Sequence, residues 1–174
     1  MIALPSQGSQ GFTLIELMAT MIIGIILLVG GGAAVLRAQD RQQAETVATE
    51  LQRFMVQTRA RARAQDREGC PGTPGVIGYE FSFDNTTNPT ASARGLCGPD
   101  KWNPARGTEV ATYSSNASVV IVPSSLTVDF YSLYGGANIS GGGSDQKIAV
   151  SNGNVTYSFT VSPGGEISSV QKEP

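Results

Sequence analysis

The side chains that could do chemistry are few, and their types exclude most reactions. The chain contains no histidine, so a His-ligated metal site and His-based acid–base catalysis are both out of reach. Its two cysteines, Cys70 and Cys97, are 27 positions apart and would make a poor zinc site without His. Asp84, Asn85, Asp129 and Asp145 could offer oxygens to calcium, but their spacing resembles no calcium loop. No nucleophile–base pair and no pair of catalytic acids is recognisable. The expectation is a protein that is not an enzyme and uses no cofactor or metal. One carboxylate remains conspicuous. In the stretch "QGFTLIELM", residues 10–18, Glu16 stands at the head of a run with no charge from Leu17 to Leu36. An ionisable group in such a setting is costly unless something satisfies it.

The element that positions Glu16 is that run, LMATMIIGIILLVGGGAAVL. About 20 apolar residues suffice to cross a hydrocarbon core of ~30 Å as a helix. A cleavable secretory signal is the competing reading, with Ala33 and Ala34 mimicking a cleavage site. Against it stand the length of the run and the absence of Lys or Arg from residues 1–11. If residues 17–36 cross a membrane, the rest of the chain meets an oxidising compartment. A disulfide between Cys70 and Cys97 is then the default, with two free buried thiols as the alternative.

At "GFTLIELM" the residues resemble the class III signal of type IV prepilins and type II secretion pseudopilins. Gly11, Phe12, Thr13, Leu14, Ile15, Glu16 and Leu17 stand in order, and the apolar run follows at once. The resemblance covers about 25 residues. It implies that a membrane prepilin peptidase cuts between Gly11 and Phe12 and that Phe12 is then N-methylated. Glycine suits the cut because it lets a peptidase approach the backbone closely. The apolar segment is retained as an anchor. Glu16 is implied to pair with the N-terminal amine of a neighbouring subunit during filament assembly. The alternative for Glu16 is an interfacial carboxylate reaching into headgroups. The leader MIALPSQGSQG departs from the family pattern in lacking basic residues, while Arg37 and Arg41 flank the far end of the run. Positive-inside counting therefore does not set the orientation the signal implies. Many major pilins carry a Pro near the position of Ala33; here Gly30, Gly31 and Gly32 precede it. Each costs about 1 kcal/mol in a helix interior relative to Ala, so the triplet predicts a weak point in the helix.

From Arg37 to about Asp66 the residues are good helix formers without Pro or Gly. Val47, Leu51, Phe54, Met55, Thr58, Ala62 and Gln65 recur at three- and four-residue steps, a stripe suited to lying on a sheet. Asp40, Glu45, Arg53 and Arg59 fall away from it. Gly69, Cys70 and Pro71 are read as the stop signal. A helix from Phe12 to about Glu68 would be about 85 Å long. Arg59, Arg61, Arg63 and Arg67 form a basic cluster. It reads either as a DNA patch or, preferably, as a solvated face salt-bridged to Asp66 and Glu68. Residues 69–174 hold five Lys or Arg against eight Asp or Glu, a net −3, which argues against nucleic acid as a partner.

After Cys70 the period changes to that of strands. Residues 76–83, 109–114, 117–122, 126–133, 146–150, 154–162 and 166–170 are short and rich in Val, Ile, Tyr, Phe and Thr. Asn152-Gly153 and Pro163-Gly164-Gly165 suggest hairpin loops. Residues 84–107 read as a long surface loop tied by Cys70–Cys97 and carrying the single Trp102; residues 136–147 read as a second loop. The expected architecture is α+β and pilin-like: a long N-terminal helix, transmembrane in its first half, packed on one antiparallel sheet of about five to seven strands. The boundaries read as leader 1–11, filament-core helix 12–36, amphipathic helix 37–68 and head 69–174. The head, with "VDFYSLYGG" and "YSFTVSPGGEISSV", is similar to the FimT/GspH-like minor pilins and pseudopilins.

The resemblance implies a structural subunit of a type IV pilus or type II secretion filament. Its partners would be the peptidase and N-methyltransferase, other pilin or pseudopilin subunits and an inner-membrane assembly platform. It would sit as a single pass in the inner membrane with the head outside. Alternatives are a major pilin, a DNA-uptake or adhesion minor pilin whose head binds a ligand, and a membrane-anchored domain that never assembles.

Overall fold

The computed structural model describes residues 13–73, 75–85, 89–100, 103–115, 118–132, 136–140, 142–153 and 155–174, with the side chains of 27–34 excepted. Trp102 lies outside this set. Helix α1 (Leu14–Ala64) is followed by nine strands among the described residues. These are β1 (Val76–Asp84), β2 (Thr90–Cys97), β3 (Ala105–Ser114), β4 (Val120–Val122), β5 (Ser125–Tyr131), β6 (Ala137–Ile139), β7 (Gln146–Asn152), β8 (Val155–Val161) and β9 (Gln171–Lys172). The chain divides into two units, up to Gln39 and from Asp40 to Pro174.

In the second unit the helix packs on antiparallel sheets, an α+β arrangement. Ala44, Val47, Ala48, Leu51, Met55, Thr58 and Ala62 are buried. Their three- and four-residue steps put them on one face of the helix. Ala44 extends the expected stripe N-terminally and Ala48 broadens it, whereas Gln65 is exposed. Against this stripe lie Tyr79, Phe81 and Phe83 of β1, Leu126, Val128 and Phe130 of β5, Ile148 and Val150 of β7, and Tyr157, Phe159 and Val161 of β8. The alternation along β5, β7 and β8 follows the two-residue period of a half-buried strand, whereas β1 is buried on both faces from Ile77 to Phe81.

The single expected sheet is two. The first has the order β3-β2-β1-β5-β6 and the second β4-β7-β8-β9. All pairings are antiparallel. The stretch read as a loop over 84–107 contains β2 and the start of β3. Ala91 and Ala93 supply the buried alternation there, small residues that carry little strand propensity. The loop over 136–147 likewise contains β6, held to β5 by Val128↔Ile139. The last strand is shorter and later than its 166–170 reading: Ile167 makes only a bridge to Val161, and β9 begins at Gln171. The Asn152-Gly153 hairpin joins β7 to β8, with Gly153 at φ 59°.

The helix ends at Ala64, four residues before the predicted end at Glu68. Gln65 takes the left-handed conformation, φ 52°. The Gln65 amide donates to the Ala62 carbonyl at 3.2 Å and the Asp66 amide to the Arg61 carbonyl at 3.2 Å. These two bonds are a Schellman motif, which closes the last carbonyls of a helix. The turn that follows is gripped by β1: the Tyr79 hydroxyl donates to the Asp66 carbonyl at 2.9 Å and accepts from the Gly69 amide at 3.2 Å. Cys70, in this turn, is disulfide-bonded to Cys97 at the end of β2, Cα–Cα 5.7 Å. The bridge thus joins the helix exit to a strand rather than to a loop.

Candidate functional site: the N-terminal segment

Gly11 and Phe12 lie outside the described residues. Description begins at Thr13, and Thr13 starts α1. Its Oγ1 accepts from the Glu16 amide at 3.3 Å, and its carbonyl accepts from the amides of Glu16 and Leu17 at 3.1 and 3.2 Å. Thr13 is therefore the N-cap, and Thr13-x-x-Glu16 has the spacing of a capping box. Glu16 sits in the first helical turn, where the helix dipole favours a carboxylate. It is exposed.

Around Glu16 the helix surface is apolar on nearly every side. Nine large apolar side chains between Leu14 and Ile26 are each 52–78 % exposed. That surface demands cover, since a helix that is hydrophobic all round belongs in lipid or a protein interior. At 100° per residue one narrow strip is different: Glu16, Thr20 and Gly24 follow at i, i+4 and i+8 on the same side. Thr20 keeps its hydroxyl on the Leu17 carbonyl at 2.9 Å. Nothing would meet a Cβ at Gly24 within 4 Å. Glu16 is thus the one charge on a strip of small residues, a juxtaposition that the i, i+4, i+8 spacing already carries in the sequence.

Gly30, Gly31 and Gly32 fall within the span of α1. No helix among the described residues is long and apolar enough to cross a membrane. The apolar run is described with its side chains only up to Ile26 and again from Val35, and either portion alone is short of the ~20 residues a span requires.

In the second unit, the basic cluster separates into parts. Arg61 donates to Glu68 at 2.9 Å and lies 3.8 Å from Asp66. Arg59 has its guanidinium pKa lowered, first by burial and then by Arg63. Among the described residues no group of three or more His, Cys, Asp or Glu could hold a metal ion. Asp129 instead pairs across the ladder with Glu80, a neighbour the sequence reading did not single out.

The model of the prokaryotic N-terminal methylation motif matches residues 6–32. Neither the curated proteins nor the solved structures yield a match to the chain. The matched residues take in Gly11, Phe12, the Thr13 cap, Glu16 and most of the apolar run, and the motif is the class III prepilin signal. That signal is the one that type IV pilin and pseudopilin families carry at the N-terminus.

Proposed function

We propose that the chain is a structural subunit, a minor pilin or pseudopilin, of a type IV pilus or type II secretion filament. The methylation motif over residues 6–32 carries this reading. A prepilin peptidase cuts between Gly11 and Phe12 and an N-methyltransferase activity methylates the new amine. Residues 12–36 then hold the subunit in the inner membrane as a single pass, with the head outside the cytoplasm. An assembly platform moves it among other pilin or pseudopilin subunits into the filament.

The physics of Glu16 supports the assembly step. An unpaired carboxylate among exposed apolar side chains is expensive once lipid or protein covers them. Cleavage creates a cation, the Phe12 amine, and an amine from a neighbouring subunit offsets that cost when two helices meet along the Glu16–Thr20–Gly24 strip. Small residues on such a strip allow close helix approach. The glycine triplet gives the helix a place to yield as subunits pack.

Mass spectrometry of the membrane-extracted protein is expected to show N-methyl-Phe12 as the first residue. A mature terminus at Met1, or one after Ala34, would contradict the reading. The Glu16→Ala chain is expected to retain the methylated terminus yet be missing from sheared filaments. Normal incorporation of that variant would remove the role given to Glu16.

A further inference from the structure

The outer face of the first sheet carries one polar row, charged at all but one position. Across β6, β5, β1, β2 and β3 the cross-strand partners are Asn138, Asp129, Glu80, Arg94 and Glu109. Glu80 is only 5 % exposed. Its Oε2 accepts from Arg106 Nε of β3 at 2.9 Å. Arg94 is turned toward Glu109, 4.0 Å away. Asp129 is served less well. Its Oδ2 accepts from Asn138 Nδ2 at 3.5 Å, and its Oδ1 is shut off from solvent with no hydrogen-bond partner. Tyr131, two residues along β5, is the remaining titratable neighbour; its phenol is pushed up by burial and then by Asp129.

A carboxylate oxygen in this state is unstable in a specific sense. Leaving a buried acceptor unmade costs its full desolvation, and a second carboxylate across the ladder adds repulsion. An oxygen without accessible surface offers no room for a metal ion or for a side chain of another molecule. A proton is the ligand small enough to reach it. We propose that Asp129 and Glu80 form a proton-holding pair that tightens the β1–β5 pairing at the centre of the sheet as pH falls. One proton from solvent forms an O–H bond on the Asp129 carboxyl, and the pair goes from two negative charges to one. The new hydroxyl can donate toward Glu80, which keeps its own bond from Arg106.

The direction of the pH effect follows. Burial first and Glu80 second hold the Asp129 carboxyl above its ordinary value of 3.8, with Asn138 and Arg106 pulling the other way. A group whose folded pKa is raised contributes stability that is fully present below 3.8 and is lost as pH rises through the folded value. Glu173 has the opposite sign, since its bond from Lys147 lowers its pKa. The test therefore compares variants rather than reading one curve.

The full-length chain in detergent is melted between pH 8 and pH 4 as wild type and as Asp129→Asn, the neutral isostere that can donate a hydrogen bond. The D129N chain is expected to melt several degrees higher at pH 8, with the difference closing toward pH 4. A difference that does not change with pH, or a D129N chain less stable at pH 8, overturns the proposal. Carbon-13 titration of the Asp129 carboxyl gives the second measurement. Its midpoint is expected above the ordinary aspartate range in wild type and lower in Glu80→Gln. A wild-type midpoint in the ordinary range overturns the proposal, as does one unmoved by E80Q.

Discussion

Gln65 holds the end of α1 in a conformation that suits another residue better. At φ 52° its Cβ crowds the following carbonyl, at a cost of roughly 1–2 kcal/mol. The Schellman bonds to Ala62 and Arg61 retain it there. Gln65 is exposed and its side chain is absent from the buried stripe, so glycine should remove the strain without losing contacts. The entropy glycine adds to the unfolded chain takes back part of the gain. Gln65→Gly is expected to stabilise the protein by about 0.5–1 kcal/mol, or a rise of about 1–4 °C in Tm by calorimetry. The same residue explains why the helix end was not legible in the sequence. Gly69, Cys70 and Pro71 carry the composition of a stop signal, while the stop itself is made by a backbone conformation that glutamine does not advertise. Glu16 is the contrary case. Its isolation in an uncharged run is a matter of sequence alone, and the Thr13 cap adds geometry to a residue already conspicuous.

Among the elements, those built from large apolar residues were readable and those built from small ones were not. β1, β5, β7 and β8 carry aromatic or branched residues at every second position, and the sequence places them within two residues of their ends. β2 escaped because its inward positions are Ala91, Ala93 and Gly95, whose burial comes from what covers them. Gly95 lies where the β2–β3 register shifts between Arg94 and Leu96, a usual place for glycine in a strand. It faces the turn after α1 so closely that an added Cβ would fall 2.6 Å from the Gly69 carbonyl oxygen and 2.8 Å from the Gly69 Cα. Both obstacles are backbone, and the Cys70–Cys97 bridge and the Tyr79 hydroxyl hold that backbone in place. Gly95→Ala is therefore expected to cost about 3 kcal/mol, the upper end of the overpacking range. A denaturant titration with an unchanged m-value would measure it. A loss below about 0.5 kcal/mol, the level of an ordinary surface substitution, would mean that the turn yields.

On the scale of the whole second unit, two sheets share one helix, and two tyrosines tie them to it from opposite ends of the chain order. From the first sheet, Tyr113 of β3 donates to Glu50 Oε2 at 3.0 Å. From the second, Tyr157 of β8 donates to Glu45 Oε2 at 3.0 Å and accepts from Arg41 Nε at 3.1 Å. Neither tie follows from local sequence, since the partners are 63 and 112 positions apart; only the assembled sheets bring them together. The Tyr113 phenol is pushed up to about 12, chiefly by burial, while its bond to Glu50 raises it further and one to Ser115 lowers it. Its folded value exceeds the ordinary value of 10, so its contribution to stability is fully present below pH 10 and is lost between pH 10 and about 12. Ionised, Tyr113 could no longer donate and would face the Glu50 carboxylate as a like charge. Thermal melts of wild type and Tyr113→Phe should therefore differ below pH 10, with the wild type more stable, and converge as pH approaches 12. Parallel curves across that window would show that the hydroxyl contributes no pH-dependent hold of the first sheet on the helix.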